Sequence, residues 1–365
     1  MSWKFWKKNK EKKKKSTGRE WLDAIVFAVI AATIIRGLFI EAYTIPTGSM
    51  ERTLLVGDFL FVSKVNYGAR TPITPIAFPF AHHTMPIINT KAYWDGIQLP
   101  YYRLPGLGKV ERYDVVVFNY PMDADAPLNR PVDKRENYIK RCMGIPGDTL
   151  KLINAQVFVN GKAADLPKMS QTQYYVKTDG SDFNPKALES IKADVERVTG
   201  DEYVMTMPKA EVEKIKAFSN VKMVTQVIAE QKTFEQQVFP GDPHLVWNQD
   251  NFGPVIIPKK GWTVKLDSLS FPVYRRAIEI YEGNKLELKG NDIFINGQKT
   301  DSYTFKMDYY WMIGDNRHNS LDSRYWGFVP EDHIVGKALF VWMSWDDAAS
   351  FFHKIRWERL LMGIH

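Results

Sequence analysis

One long apolar run stands out near the start of the chain. Residues 21–40 are almost entirely hydrophobic, with Asp23 and Arg36 near the two ends. A helix of this length measures roughly 30 Å, the thickness of the hydrocarbon core of a bilayer. The alternative is a cleaved signal peptide, because the charge-free centre at residues 24–35 is short. The long lysine-rich stretch before the run, and the lack of a small-residue cleavage site after Ile40, favour an uncleaved transmembrane helix.

The pattern after this run is that of β-strands. Residues 53–65 predict a strand interrupted by a Gly-Asp turn, and Asp114–Tyr120 predicts a β-branched strand that Pro121 ends. Residues 66–112 hold six prolines and many aromatic residues without periodicity. Such a composition predicts an extended loop, because proline is poorly tolerated in helices and central strands.

Two segments of the chain echo each other. Residues 150–162 and 286–298 each contain a strand, a polar turn, a second strand and the hairpin dipeptide Asn-Gly. The likeness has two possible explanations, an internal repeat or the general similarity of β-hairpins. Both explanations predict antiparallel β structure. Between them, residues 163–285 contain helix-compatible runs at 185–198 and 208–218 and are predicted to form an inserted subdomain.

These patterns predict a mainly β protein behind a membrane helix. The antiparallel β core would comprise residues 41–162 and 286–344, and the insertion between them would be α+β. The last segment, residues 345–365, places Trp357, Leu360, Leu361 and Ile364 at helical spacing among basic residues. It predicts an amphipathic helix that lies on a membrane surface or packs against the domain.

The net charge of +7 comes from one end of the chain. Residues 1–20 hold nine basic and two acidic residues, and the other residues balance at 40 basic and 40 acidic. A basic tail of this kind excludes a phosphate-neutralising surface, so nucleic acid is not an expected partner. It also predicts a cytoplasmic N-terminus, which places everything after residue 40 outside the membrane. The lone cysteine, Cys142, excludes an intramolecular disulfide, and no metal or cofactor is predicted.

Two residues are candidates for chemistry. Ser49 lies nine residues beyond the apolar run, and Lys140 is surrounded by apolar neighbours. A nucleophilic serine needs a base, which is usually histidine, and among seven histidines only His318 has a motif-like context. A lysine serves instead when burial lowers its pKa. Considered alone, Ser49 is consistent with a serine in a turn. Lys140 and Arg141, considered alone, are consistent with a solvated pair on the surface.

A third segment gives the candidates a context. Residues 312–330 combine acidic, amide, hydroxyl and arginine side chains between glycines, which is typical of a rigid hydrogen-bonded loop beside a site. Together, Ile45–Met50, Tyr138–Arg141 with Gly144–Asp148, and Gly314–Gly327 resemble the sequence boxes of bacterial type I signal peptidases. The strand at residues 114–118 resembles a further box. These matches cover roughly a third of the chain, in the right order, behind the expected anchor.

The resemblance implies a serine endopeptidase with the signal-peptidase type of antiparallel β core. Ser49 would attack the scissile carbonyl and Lys140 would take its proton. The backbone N–H of Ser49 and the hydroxyl of Thr47, where many relatives have serine, would form the oxyanion hole. The resemblance further assigns residues that support the dyad and residues that line a pocket for small side chains. The supporting residues are Ser320, which orients the lysine, the ion pair Asp322–Arg324, and Asp315 and Arg317, which brace the loop. The pocket residues are Ile45, Pro46, Met50, Leu54, Tyr138 and Ile139.

The implied substrates are signal peptides of exported preproteins, cleaved at the outer face of the inner membrane. The implied partners are therefore the signal peptide and the lipid bilayer. His318 departs from the family pattern, since relatives commonly have aspartate there, and leaves a Ser–His alternative. A self-processing Ser–Lys protease and a catalytically inactive assembly factor are the rival functions. The retention of both Ser49 and Lys140 argues against the second of these.

Overall fold

The computed structural model describes residues 16–191, 193–290, 292–350 and 353–365. Most of the predicted basic tail, residues 1–15, lies outside the described residues.

The helices are α1 (Thr17–Leu38), α2 (Pro185–Glu189), α3 (Lys209–Lys216), α4 (Ser270–Arg276) and α5 (Ser323–Trp326). The strands of the first half are β1 (Ile40–Thr44), β2 (Asp58–Ser63), β3 (Val115–Asn119), β4 (Asn137–Gly144), β5 (Thr149–Ile153), β6 (Gln156–Val159), β7 (Lys162–Ala163), β8 (Gln171–Thr178), β9 (Asp194–Arg197), β10 (Glu202–Pro208) and β11 (Val221–Gln226). Those of the second half are β12 (Phe252–Ile256), β13 (Thr263–Lys265), β14 (Leu286–Lys289), β15 (Asp292–Ile295), β16 (Gln298–Lys299), β17 (Ser302–Thr304), β18 (Tyr309–Ile313), β19 (Val329–Pro330), β20 (Ile334–Ser344) and β21 (Met362–Gly363).

Helix α1 is the apolar run predicted from the sequence. It has 22 residues, and among the described residues it is the one helix that is long and apolar enough to cross a membrane. None of its side chains is buried against the rest of the protein, as expected of a surface that faces lipid. The helix ends at Leu38 rather than residue 40, because β1 begins at Ile40 and pairs with β2.

The main sheet is antiparallel and curled, with the strand order β1-β2-β20-β3-β4-β18-β19. Strand β3 is central, and every one of its side chains is buried, which explains the continuous apolar run in the sequence. The predicted strand at 53–65 is wrong in its first half, since residues 53–57 form turns and β2 begins at Asp58. The Asp58 carboxylate accepts a hydrogen bond from Leu55 N at 2.8 Å, which stabilises the turn.

The two segments of similar sequence, residues 150–162 and 286–298, form similar hairpins. Strands β5 and β6 pair, as do β14 and β15, and both hairpins are antiparallel as predicted. The Asn-Gly dipeptides at 160–161 and 296–297 have positive φ at both residues, the geometry of the tight turns that lead to β7 and β16. These strands, β12, β13, β17 and α4 surround one large hydrophobic core.

A separate four-stranded sheet, with the order β11-β8-β10-β9, lies within the predicted insertion and has its own apolar cluster with α3. Helix α3 matches the helix predicted at 208–218. The helix predicted at 185–198 ends at Glu189, because residues 194–197 pair with β10 as β9. Strands β12 and β13 also lie within the predicted insertion, residues 163–285. They pair with β5 and β17, which lie in the ranges predicted for the core. The bounds of core and insertion stay a prediction.

The amphipathic helix expected at the C-terminus is wrong for residues 353–365. This stretch contains a short 3₁₀ turn, Trp357–Arg359, and then β21, which pairs with β20. Ile364 is buried in the core of the main sheet, and Arg359 reaches the buried carboxylate of Asp58. Pairing with a long strand outweighs the weak helical tendency of a short segment.

Candidate active site

Ser49 lies in a 3₁₀ turn, Gly48–Met50, that follows β1. The end of β1 is fastened to β2 by backbone hydrogen bonds between Ile45 N and Asp58 O (2.9 Å) and between Gly57 N and Ile45 O (3.0 Å). Met50 is completely buried and anchors the turn from below, whereas Ser49 is partly exposed. The turn therefore presents the hydroxyl of Ser49 to solvent on a rigid support.

Lys140 lies in the middle of β4, opposite Val116 of β3. Only 4% of the residue is exposed. A hydrogen bond of 2.6 Å joins Lys140 Nζ to Ser49 Oγ. The two residues singled out in the sequence thus meet in the fold, although 91 positions separate them.

The surroundings of Lys140 favour its neutral form. Burial lowers the pKa of Lys140 from its ordinary value of 10.5 to about 8. The carboxylates of Asp322 and Asp315 act against this shift, and the guanidinium of Arg324 acts with it. At pH 8 about half of the lysines are then unprotonated and able to accept a proton.

The loop at residues 314–320 packs directly against the serine turn. Asn316 donates from its backbone N to Ser49 O (3.1 Å) and from Nδ2 to Gly48 O (3.0 Å). A Cβ on Gly314 would lie 2.1 Å from Ser320 Oγ and 2.6 Å from Ser49 O, so only glycine permits this approach. The loop thereby holds the backbone on both sides of the hydroxyl.

Two buried ion pairs stabilise the loop. Asp322 and Arg324 pair at 2.9 Å, as the resemblance implies, and Asp322 Oδ2 also accepts from Gly314 N at 3.0 Å. Asp315 pairs with Arg141 at 2.7 Å. Arg141 was not among the predicted site residues. A signal was available, because strand alternation sends Arg141 to the face opposite Lys140, where a buried cation needs a carboxylate.

Arg317 supports the loop through its backbone. Its N donates to Gln171 O at 2.9 Å, and its carbonyl accepts from Arg324 Nη2 at 2.5 Å. The side chain is buried, and within the described part of the chain its Nε and Nη2 have no hydrogen-bond partner. Burial, reinforced by Arg324, lowers the pKa of Arg317 to about 10.

Ser320 does not form the expected hydrogen bond with Lys140. Its Oγ is buried and has no hydrogen-bond partner among the described residues. The hydroxyl lies against Gly314 instead, close to the space that a Cβ there would occupy. Ser320 therefore fills space beside the dyad in this structure.

His318 is engaged away from Ser49. Its side chain is 2% exposed, and its Nδ1 accepts from Gln173 N at 3.2 Å and lies 2.6 Å from Thr172 Oγ1. Its Nε2 lies 3.3 Å from the Asp250 carboxylate. These contacts tie the loop to β8 and to the turn around residue 250, so the imidazole is a structural link between elements.

A cavity of about 270 Å³ opens in front of the serine and the lysine. Of the predicted pocket residues, Pro46, Tyr138 and Ile139 line it, together with Thr47, Gly48, Asn137, Asn319 and Leu321. The other predicted pocket residues, Ile45, Met50 and Leu54, lie in the hydrophobic core below. Sequence reasoning missed Asn319 and Leu321, which come from the loop at 314–327. Leu321 is half exposed and adds an apolar side chain to the lining of the cavity.

An antiparallel β core that holds a serine in hydrogen-bond contact with a buried lysine is an arrangement suited to a serine peptidase. The family model described as "Signal peptidase, peptidase S26" matches residues 18–212 and 294–345, more than half of the chain. The chain therefore belongs to the signal peptidase family, peptidase S26.

Relatives from several bacteria agree with this assignment. The chain is 29% identical over 317 residues to "Signal peptidase I" of Buchnera aphidicola subsp. Acyrthosiphon pisum, which covers 87% of this chain and 72% of the relative. It is 30% identical over 323 residues to the protein of that name from Buchnera aphidicola subsp. Schizaphis graminum, covering 86% and 71%. Its identity to "Signal peptidase I" of Pseudomonas aeruginosa is 25% over 334 residues, covering 88% and 70%.

Proposed function

We propose that this protein is a membrane-anchored endopeptidase that removes signal peptides from exported preproteins, with Ser49 as nucleophile and Lys140 as general base. The observation that carries this assignment is the 2.6 Å hydrogen bond between Ser49 Oγ and the amine of a buried lysine. The family membership and the names of the relatives support the choice of substrate.

The reaction follows from the positions of the two side chains. Lys140 accepts the hydroxyl proton while Ser49 Oγ bonds to the scissile carbonyl carbon. The resulting ammonium then donates that proton to the leaving amine as the peptide bond breaks. A water molecule, deprotonated by the same lysine, hydrolyses the ester and restores Ser49. Burial assists the cycle because it leaves about half of the amine neutral near pH 8.

The oxyanion hole is proposed to consist of the backbone N–H of Ser49 and the hydroxyl of Thr47. Thr47 is exposed and lines the same cavity as Ser49. Donors of this kind stabilise the charge on the carbonyl oxygen that develops in the transition state.

The substrate is proposed to bind as an added strand beside β4. Strand β18 pairs with β4 at Arg141–Gly144, whereas Asn137–Lys140 pair with β3 alone and leave one edge open next to Ser49. An extended peptide uses such an edge for its main-chain hydrogen bonds. The adjoining cavity, bounded by Tyr138, Ile139 and Leu321, would admit small side chains and exclude large ones.

The anchor is proposed to place this edge at the outer face of the cytoplasmic membrane, with the N-terminus in the cytoplasm. The lysine-rich sequence before α1 supports that orientation, because positive residues stay on the cytoplasmic side. Ser49 lies in the turn after β1, the strand that directly follows α1, so it would lie close to where a signal peptide leaves the bilayer.

The test is cleavage of a preprotein by the full-length enzyme in detergent. Ser49→Ala and Lys140→Ala are each expected to abolish cleavage while the circular dichroism spectrum stays unchanged. Lys151→Ala, the same change at an exposed lysine of β5, is the matched control and should be fully active. His318→Asn should keep measurable activity. Full activity of either dyad variant, or complete loss in His318→Asn with the fold intact, would contradict the assignment.

A further inference from the structure

A second cavity, of about 280 Å³, lies between the end of the anchor helix and the proline-rich loop. Thr33, Arg36 and Gly37 of α1 line one side of it. Phe78, Pro79 and Phe80 of the loop line the other. This cavity and the cavity beside Ser49 share one lining residue, Asn137.

The lining carries more positive than negative charge. Four of its side chains are cationic, namely Arg36, Lys64, Arg70 and Lys134, and two are anionic, namely Glu41 and Asp133. Glu41 pairs with Arg36 at 2.6 Å and with Lys64 at 2.8 Å, so its charge is already compensated. Two positive charges therefore remain in excess.

Within the described part of the chain, Lys134 Nζ has no hydrogen-bond acceptor, although it lies over the ring of Tyr93, 5.8 Å from the centroid. It is nine-tenths buried, and the nearest carboxylate oxygen, from Asp133, is 3.9 Å from its Nζ, beyond hydrogen-bond distance. That carboxylate accepts hydrogen bonds from the backbone N and the hydroxyl of Thr74 instead, each at 2.9 Å. Burial, with repulsion from Arg70 and Arg36, lowers the pKa of Lys134. An anion in the cavity would offset this unfavourable arrangement.

The position of the cavity selects the kind of anion. Arg36 lies near the end of a helix that is long enough to span a bilayer. With this helix in the membrane, on which the inference rests and as proposed above, the cavity would lie at the depth of the lipid headgroups. On the cavity rim, Phe78 and Phe80 are each 54% exposed. Aromatic side chains are favourable at the interface between headgroups and acyl chains. A cationic interior behind an apolar rim matches an amphiphilic anion better than it matches free phosphate.

We propose that this cavity binds the phosphate of an anionic phospholipid, with Lys134 and Arg36 as its principal contacts and Phe78 and Phe80 against the lipid's apolar part. The site would fix the height and tilt of the domain above the membrane. It is separate from the Ser49–Lys140 pair and is testable without any measurement of activity.

The test is a lipid titration of the full-length protein, followed by native mass spectrometry from detergent. The probes are short-chain phosphatidylglycerol, phosphatidylcholine of equal chain length, and inorganic phosphate. The wild-type protein should bind one phosphatidylglycerol more tightly than either other probe. Lys134→Gln should weaken this binding about tenfold, the loss of one charge-assisted contact. Lys134→Arg should retain it, and Lys151→Gln, which removes an exposed charge elsewhere, should bind as the wild type does.

A further variant separates the apolar contact from the charge. Phe78→Ser alters an exposed side chain and should weaken binding of the lipid without changing that of inorganic phosphate. Unchanged phosphatidylglycerol affinity in both Lys134→Gln and Phe78→Ser would overturn the proposal. An equal loss in Lys151→Gln would show unspecific attraction and overturn it as well. Inorganic phosphate bound as tightly as the lipid would exclude a lipid site.

Discussion

The acid side of the pH–activity profile should report the protonation of Lys140. Burial lowers the pKa of this lysine from 10.5 to about 8. If the neutral amine is the general base, kcat/KM should fall as the pH drops below 8, and by tenfold per pH unit below about 7. The perturbation is pH alone, so the fold of the enzyme need not be altered.

The size of the effect follows from the pKa shift. At pH 7, a group with a pKa of 8 is about 9% neutral, whereas one with a pKa of 10.5 is about 0.03% neutral. Burial of Lys140 therefore raises the population of reactive enzyme about 300-fold at this pH. A solvent-exposed lysine in the same position would leave the peptidase almost inactive.

The same shift has a cost in stability. The pKa of Lys140 is lower in the folded than in the unfolded protein, so the unfolded state binds more protons between pH 8 and 10.5. Stability contributed by this group consequently rises with pH through that window. Below pH 8 both states are protonated and the full cost, about 3 kcal/mol, applies.

The assay is kcat/KM for a peptide without titratable side chains, measured from about pH 6 to 10. Lys140→Arg should be inactive throughout, because arginine stays protonated in this range. Lys151→Ala should give the wild-type profile. An acid limb centred at about 6.5, the ordinary pKa of histidine, that disappears in His318→Asn would refute the reasoning.

Three further changes test the supports of the site. Gly314→Ala should lower kcat by at least about 100-fold, because the new Cβ would displace Ser320 and the backbone of Ser49. Thr47→Val should lose about 10²–10³ in kcat, while Thr47→Ser, which keeps a hydroxyl, should stay close to wild type. Arg359→Ala should destabilise the fold by about 3–5 kcal/mol in chemical denaturation, because the buried carboxylate of Asp58 loses its partner.

Each of these has a result that contradicts it. Wild-type kcat in Gly314→Ala would show that the close approach of the loop to the serine is unimportant. Equal kcat values for Thr47→Val and Thr47→Ser would show that the Thr47 hydroxyl is not part of the oxyanion hole. For Arg359, the matched control is Arg275→Ala, which breaks an exposed pair with Glu279 and should cost well under about 1 kcal/mol. Similar losses for both arginines would contradict the buried-pair argument.

Several elements were predictable because their signals are local. The apolar run became α1, the β-branched run at residues 114–120 became β3, and the Asn-Gly dipeptides became hairpin turns. Hydrophobic length, β-branching and left-handed turn conformations depend on the residues of the segment itself. Such signals can be read without knowing what the segment contacts.

Other features depend on partners that are distant in the sequence. The C-terminal stretch has helical spacing, yet it pairs with β20 and places Arg359 on Asp58. Ile45, Met50 and Leu54, which the resemblance assigns to the pocket, lie in the hydrophobic core, and their contact with a substrate stays a prediction. The pairing of Asp315 with Arg141 likewise joins residues 174 positions apart. The pairing of the C-terminal stretch has no signal within its own segment, whereas strand alternation indicates that Arg141 needs a carboxylate but not which one.

The sequence by itself determined which side chains are available for the chemistry: a serine just beyond a membrane-length helix, a lysine among apolar neighbours, and a polar loop between glycines. Only the tertiary structure decided that Lys140 is 4% exposed and 2.6 Å from Ser49 Oγ. The physical reason is that the pKa of an amine depends on how completely other segments exclude water from it. That exclusion is a property of the packed strands and of the loop at 314–320, and it lowers the pKa of an otherwise ordinary lysine.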